Sequence, residues 1–117
     1  MFLTTLILSI VLAAFFAAVG TPKLAGAKLM HEVAKHFGLP ILGVRAIGAL
    51  ELAGSGGLLI GLALAPLGIA AAAGLTLLMA GAVAFHVREH DPAARLVGPA
   101  LAGLIAAVTV FARAASG

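Results

Sequence analysis

The chain has 117 residues, of which 63% are hydrophobic and only 9% charged, with a mean hydropathy of +1.24. A water-soluble domain covers itself with about 25% charged residues, so hydrocarbon is the expected solvent for most of this surface, and no residues remain for a separate catalytic domain. The formal charge of +3 rests on seven Lys and Arg, which in so apolar a chain set membrane orientation rather than bind nucleic acid, and the absence of cysteine excludes disulfide and thiolate chemistry within the chain.

The first apolar run, 2–19, carries no charged residue, and Gly20-Thr21-Pro22 is expected to interrupt it with Lys23 at the water boundary. Its rival reading is a signal peptide, but no Lys or Arg precedes the run. A span over about 2–20 is therefore expected. The stretch from Lys23 to Pro40 is the most polar. Within it Leu29, Val33 and Phe37 recur every four residues, with Lys28, His31, Glu32, Lys35 and His36 filling other positions. That pattern predicts a short amphipathic helix over about 26–37, lying in the headgroup layer between the first two spans.

The second span is expected over about 41–64, with Arg45 near its start and Glu51 well inside. Ala65-Pro66-Leu67-Gly68 reads as an uncharged turn. The third span, about 67–87, has only Thr76 and the terminal His86 as polar side chains. A hydrophilic connection, 88–95, leads to a fourth span over about 96–112, with Pro99 in its first turn, where proline is tolerated.

Runs this long and this apolar exclude transmembrane strands, which are about 10 residues long and alternate polar with apolar. The prediction is an all-α integral membrane four-helix bundle, one transmembrane domain over 1–117. Four spans place both termini and the 65–68 turn on one side. Lys23, Lys28, Lys35, Arg88 and Arg95 fall on the other. The positive-inside rule then makes loops 21–40 and 88–95 cytoplasmic and the termini external, in a multi-pass protein of the cell membrane.

Lipid tails are as apolar as leucine, so close backbone approach through small residues must hold the spans together. Gly57-x-x-x-Gly61, Ala70-x-x-x-Gly74 and Gly103-x-x-x-Ala107 offer such faces, and one of them could also serve a homodimer. A high-GC genome, which inflates alanine and glycine, would produce the same patterns without any packing role.

Glu51 is the sharpest candidate for function. An ionisable group at that depth costs at least about 2.5 kcal/mol on insertion scales, so it is expected to face the bundle interior beside a partner. Gly48, Gly54, Ser55 and Leu58 share its helical face and form a notch around it. Arg45 lies on another face, leaving Lys23 or His86 from neighbouring spans as the partner. A purely structural interhelical ion pair is the plain alternative, as a snorkelling interface lysine is for Lys23. His86, His90 and Asp91 have spacing compatible with a metal, His86 and His90 lying four apart on one helical face. No H-E-x-x-H order accompanies them, and no metal is assigned.

Phe15-Phe16-Ala17-Ala18-Val19-Gly20-Thr21-Pro22-Lys23-Leu24 resembles the aG-x-x-Kl segment of DoxX-like membrane proteins, and the stretch from Ile47 through Gly48, Glu51 and Leu52 to Gly61 resembles their iG-x-x-El-x-gg-l-L-l-g core. The resemblance spans nearly the whole chain. It implies a prokaryotic four-helix membrane protein in which Lys23 and Glu51 are the matching polar positions, and it implies a place near membrane redox systems. The leading expectation is a noncatalytic subunit or a binding protein for a hydrophobic small molecule such as a quinone or a lipid, with membrane redox proteins as partners. A proton-coupled transporter using Glu51 is the second reading. An acid–base enzyme pairing Glu51 with Lys23 or His86 ranks last.

Overall fold

A computed structural model describes residues 2–116; Met1 and Gly117 lie outside the described residues. It contains α1 (Phe2–Ala25), α2 (Lys28–Phe37), α3 (Ile41–Ile60), α4 (Ala65–Arg88) and α5 (Ala93–Ala115), with no strand among the described residues. All but α2 are long and apolar enough to cross a membrane. A 24-residue helix such as α1 reaches about 36 Å, more than the hydrocarbon core of about 30 Å. The expected all-α architecture, with a short amphipathic helix between the first two spans, is what the chain adopts.

Tight connections at 61–64 and 89–92 make consecutive spans antiparallel. α1 packs on α3 and α5, and α4 packs on the same two, so the spans form a ring in the order α1, α3, α4, α5, with α2 laid against α3. The core is small and central, built from Leu12 and Phe16 of α1, Leu58 of α3, Ala72, Leu75 and Met79 of α4, and Ala102 and Ala106 of α5. Large apolar side chains such as Leu42, Leu77 and Phe111 point outward, each at least 70% exposed. In water such a surface would be a liability; against acyl chains it is the expected exterior.

Several boundaries differ from the sequence expectation. Gly20-Thr21-Pro22 does not interrupt α1, which continues to Ala25. The Thr21 hydroxyl folds back onto the Ala17 carbonyl, and Pro22, in the last turn, removes one intrahelical N–H donor close to the helix end without stopping the helix. The turn lies at 61–64 rather than 65–68, because Pro66 sits at the start of α4, where its absent N–H would have had no partner. α5 begins at Ala93, so Pro99 falls inside the helix instead of in its first turn. α4 ends at Arg88, and His90 adopts a left-handed backbone with φ 55°. His86 and His90 therefore do not share a helical face.

The small-residue faces are used unequally. A Cβ on Gly61 would overlap Gly68 Cα, and one on Gly57 would lie 2.8 Å from the Ala71 methyl, so α3 and α4 nearly touch at the 61–64 end. Gly103 packs on Met79, whereas Gly74 faces open space.

Candidate membrane-embedded polar site

Glu51 is 1% exposed at the middle of α3, where the seam with α1 closes over it. Its Oε1 accepts a hydrogen bond from Lys23 Nζ at 2.8 Å, reached from the last turn of α1. The pairing depends on two glycines. A Cβ on Gly48 would lie 2.5 Å from Leu24 N and 2.7 Å from Gly20 O, while Gly20 leaves room for the Glu51 side chain, whose Cβ would be 3.0 Å away. Only without side chains at both positions do the two backbones come close enough for a lysine near the helix end to reach a carboxylate at mid-span.

Ser55 lies one turn beyond and is buried, but its hydroxyl donates to the Glu51 backbone carbonyl, not to the carboxylate. Glu51 Oε2 is buried without a protein hydrogen-bond partner among the described residues. Arg45, as its position on the helix implied, turns away from Glu51 and donates through Nε to the Leu24 carbonyl at 2.9 Å.

Where α3 and α4 diverge from their contact at Gly61 and Gly68, a cavity of about 710 Å³ opens toward the end that bears α2. This lies in the size range of small-molecule sites. Val44 and Ile47 of α3 form one apolar wall and Leu78 and Ala82 of α4 another, with Val33 and Phe37 of α2 covering them. Lys23, 25% exposed, is the charged side chain that α1 contributes to the lining, with Glu51 behind it.

The chain matches the DoxX-like family over residues 7–110, which takes in the glycine-lined ion pair, the whole of α3 and α4 and most of α1 and α5. It belongs to the DoxX-like family. No curated protein and no solved structure matches it at a significant level. In this DoxX-like chain the family match covers both Lys23 and Glu51 and every residue that lines the cavity.

His86 does not join Glu51. Its Nδ1 bonds Asp91 Oδ2 at 2.5 Å, and Asp91 Oδ1 bonds His36 Nε2 of α2 at 2.8 Å. Asp91 thus bridges α2 and α4 from the connection between α4 and α5. Burial works against its charged form, but the hydrogen bonds from His86 and His36, with charge attraction to the same imidazoles, outweigh it and hold the carboxyl below its ordinary value. Phe37 stacks edge-on against Phe85 and His86, and Arg88 covers Phe85 while donating to the Phe37 carbonyl. His90 takes no part, and among the described residues no group of three His, Cys, Asp or Glu is placed to hold a metal ion.

Sequence reasoning missed two features. His36 belongs with His86 and Asp91, a convergence across 55 residues that no local pattern reveals. Arg113, near the end of α5, is buried, and its Nε donates to the Gly61 carbonyl at 2.9 Å. With Arg45 on Leu24 and Arg88 on Phe37, three arginines cover carbonyls at or just beyond the C-terminal ends of α1, α2 and α3. Cations are favoured there by the helix dipole.

Proposed function

We propose that this DoxX-like protein is a noncatalytic membrane binding protein that holds a hydrophobic small molecule, a quinone or a lipid, in the cavity between α2, α3 and α4. The observation that carries this is the apolar cavity of about 710 Å³ with the Lys23 ammonium, anchored by Glu51, in its lining. The cationic end bearing α2 is the surface through which a membrane redox partner would dock, and by the positive-inside rule it faces the cytoplasm.

The competing readings have less support. A transporter that loads cations on Glu51 needs that carboxylate's charge available, and the Lys23 ammonium on Oε1 already neutralises it. An acid–base enzyme needs its base open to substrate, whereas Glu51 is 1% exposed and does not line the cavity. A homodimer would rest on Ala70 and Gly74, because Gly57, Gly61 and Gly103 are taken up inside the bundle.

The test is mass spectrometry of molecules that co-purify with protein extracted in native lipid. Ile47→Trp, which fills the cavity, should strip a species that wild type and the lipid-facing control Leu42→Trp retain. Identical contents in wild type, Ile47→Trp and Glu51→Ala would refute the proposal. For sidedness, a single cysteine at Lys35 should resist an impermeant maleimide added to intact cells; labelling from outside would reverse the orientation.

A further inference from the structure

The cavity carries a chemical preference for the polar end of its ligand. Six polar or charged side chains line it: Lys23, Glu32, His36, His86, Asp91 and Arg95. Asp91 is occupied by both imidazoles, with Arg95 Nη1 3.9 Å away. Arg95 itself is 61% exposed and belongs to the rim. Lys23 differs, because it sits beside apolar walls and uses its ammonium for one partner only, Glu51. An ammonium has three N–H donors. Among the described residues the other two meet no protein acceptor.

Resting on the cavity-binding proposal above, we infer that the ligand is a neutral lipophile with a carbonyl-type hydrogen-bond acceptor, which takes a free N–H of Lys23. Charge selects this class. A carboxylate or phosphate within reach of Nζ would come close to Glu51 as well, placing two anions on one ammonium. Lys23 offers an anion no unbalanced charge, because Glu51 already pairs with it at 2.8 Å. A cationic head placed beside Lys23 would meet like charge, with the Glu51 carboxylate behind it already paired. A neutral acceptor meets neither repulsion, and its hydrogen bond is made to a charged donor beside apolar walls. The long apolar walls ask for a chain or fused ring behind that head.

The experiment uses purified full-length protein in nanodiscs of zwitterionic lipid and four probes of equal chain length: a methyl ketone, a fatty acid, an alkyltrimethylammonium and the plain alkane. Competitive retention is read by native mass spectrometry. The ketone should be retained about tenfold or more over the alkane, the worth of one hydrogen bond to a charged donor, and over both ions. The preference over alkane should vanish in the paired variant Lys23→Met/Glu51→Gln, which removes the donor without leaving a buried lone charge. It should persist in Lys23→Arg.

Retention of the fatty acid above the ketone, or equal retention of ketone and alkane by wild type, overturns the inference. If all four probes bind alike and Ile47→Trp expels them, the cavity binds lipophiles and only the preference for a neutral acceptor is wrong. If no probe binds and Ile47→Trp changes nothing, the cavity proposal fails together with it.

Discussion

Lys23 and Glu51 meet at 2.8 Å, but they are unequal partners: the lysine is 25% exposed and the glutamate 1%. The lysine can withdraw toward water if its partner is lost, whereas the glutamate has no such route. Lys23→Met should therefore destabilise the bundle more than Glu51→Gln, by about 3–5 kcal/mol, the usual cost of leaving one buried charge unpaired. Lys23→Met/Glu51→Gln should recover much of that loss. Reversible unfolding in mixed micelles would measure the cycle, and equal losses in the two single variants would contradict the asymmetry.

Glycine positions separate into two groups. Gly48→Ala and Gly61→Ala place a methyl against backbone that has no rotamer to yield, and each should cost about 1–3 kcal/mol by overpacking. Gly48→Ala should also part α1 from α3 and lengthen the Lys23–Glu51 contact. Gly56→Ala faces open space inside α3 and should instead stabilise by about 0.5–1 kcal/mol through helix propensity. The same unfolding assay reads all three, and a neutral Gly61→Ala would show that α3 and α4 do not approach as closely as described.

Arg113 closes the end of α3. Arg113→Met keeps the apolar stem and removes the donor to the Gly61 carbonyl, for an expected loss of about 1.5–3 kcal/mol, typical of a hydrogen bond with a charged partner. Amide hydrogen exchange should rise around 61–64 while 41–50 stays protected. Uniform exchange across α3 would argue against a local capping role.

Asp91 fastens α2 to α4, and Asp91→Ala should release α2 without unfolding the spans. The chain has no cysteine, so spin labels at His31 and Ala94 can be introduced cleanly. Their distance distribution should be narrow in wild type and broad in Asp91→Ala. Because the carboxyl of Asp91 is held below its ordinary value, its contribution is present above the unfolded-state pKa of about 3.9 and is lost as pH falls through the lower folded-state value. The wild-type distribution should stay narrow on acidification to about pH 4 and broaden only below it. Broadening already near neutrality would assign the fastening to other groups.

How far the sequence reaches can be seen from particular residues. Long apolar runs made the four spans legible, since only a helix satisfies its own backbone in lipid. The four-residue recurrence of Leu29, Val33 and Phe37 made α2 legible for a similar local reason. Glu51 stood out because depth alone makes a carboxylate expensive. Helix ends were harder: Pro22 was expected to end α1 and Pro99 to lie in a first turn, yet both sit inside their helices.

By itself the sequence determined that this chain is helical, lives in hydrocarbon and keeps one carboxylate away from it, because composition and periodicity act over a few residues at a time. Only the tertiary structure decided which cation meets Glu51, that His36 and His86 share Asp91, and that Arg113 is buried. Those outcomes turn on how closely glycines let separate backbones approach and on where α3 and α4 part, distances that no single stretch of chain contains.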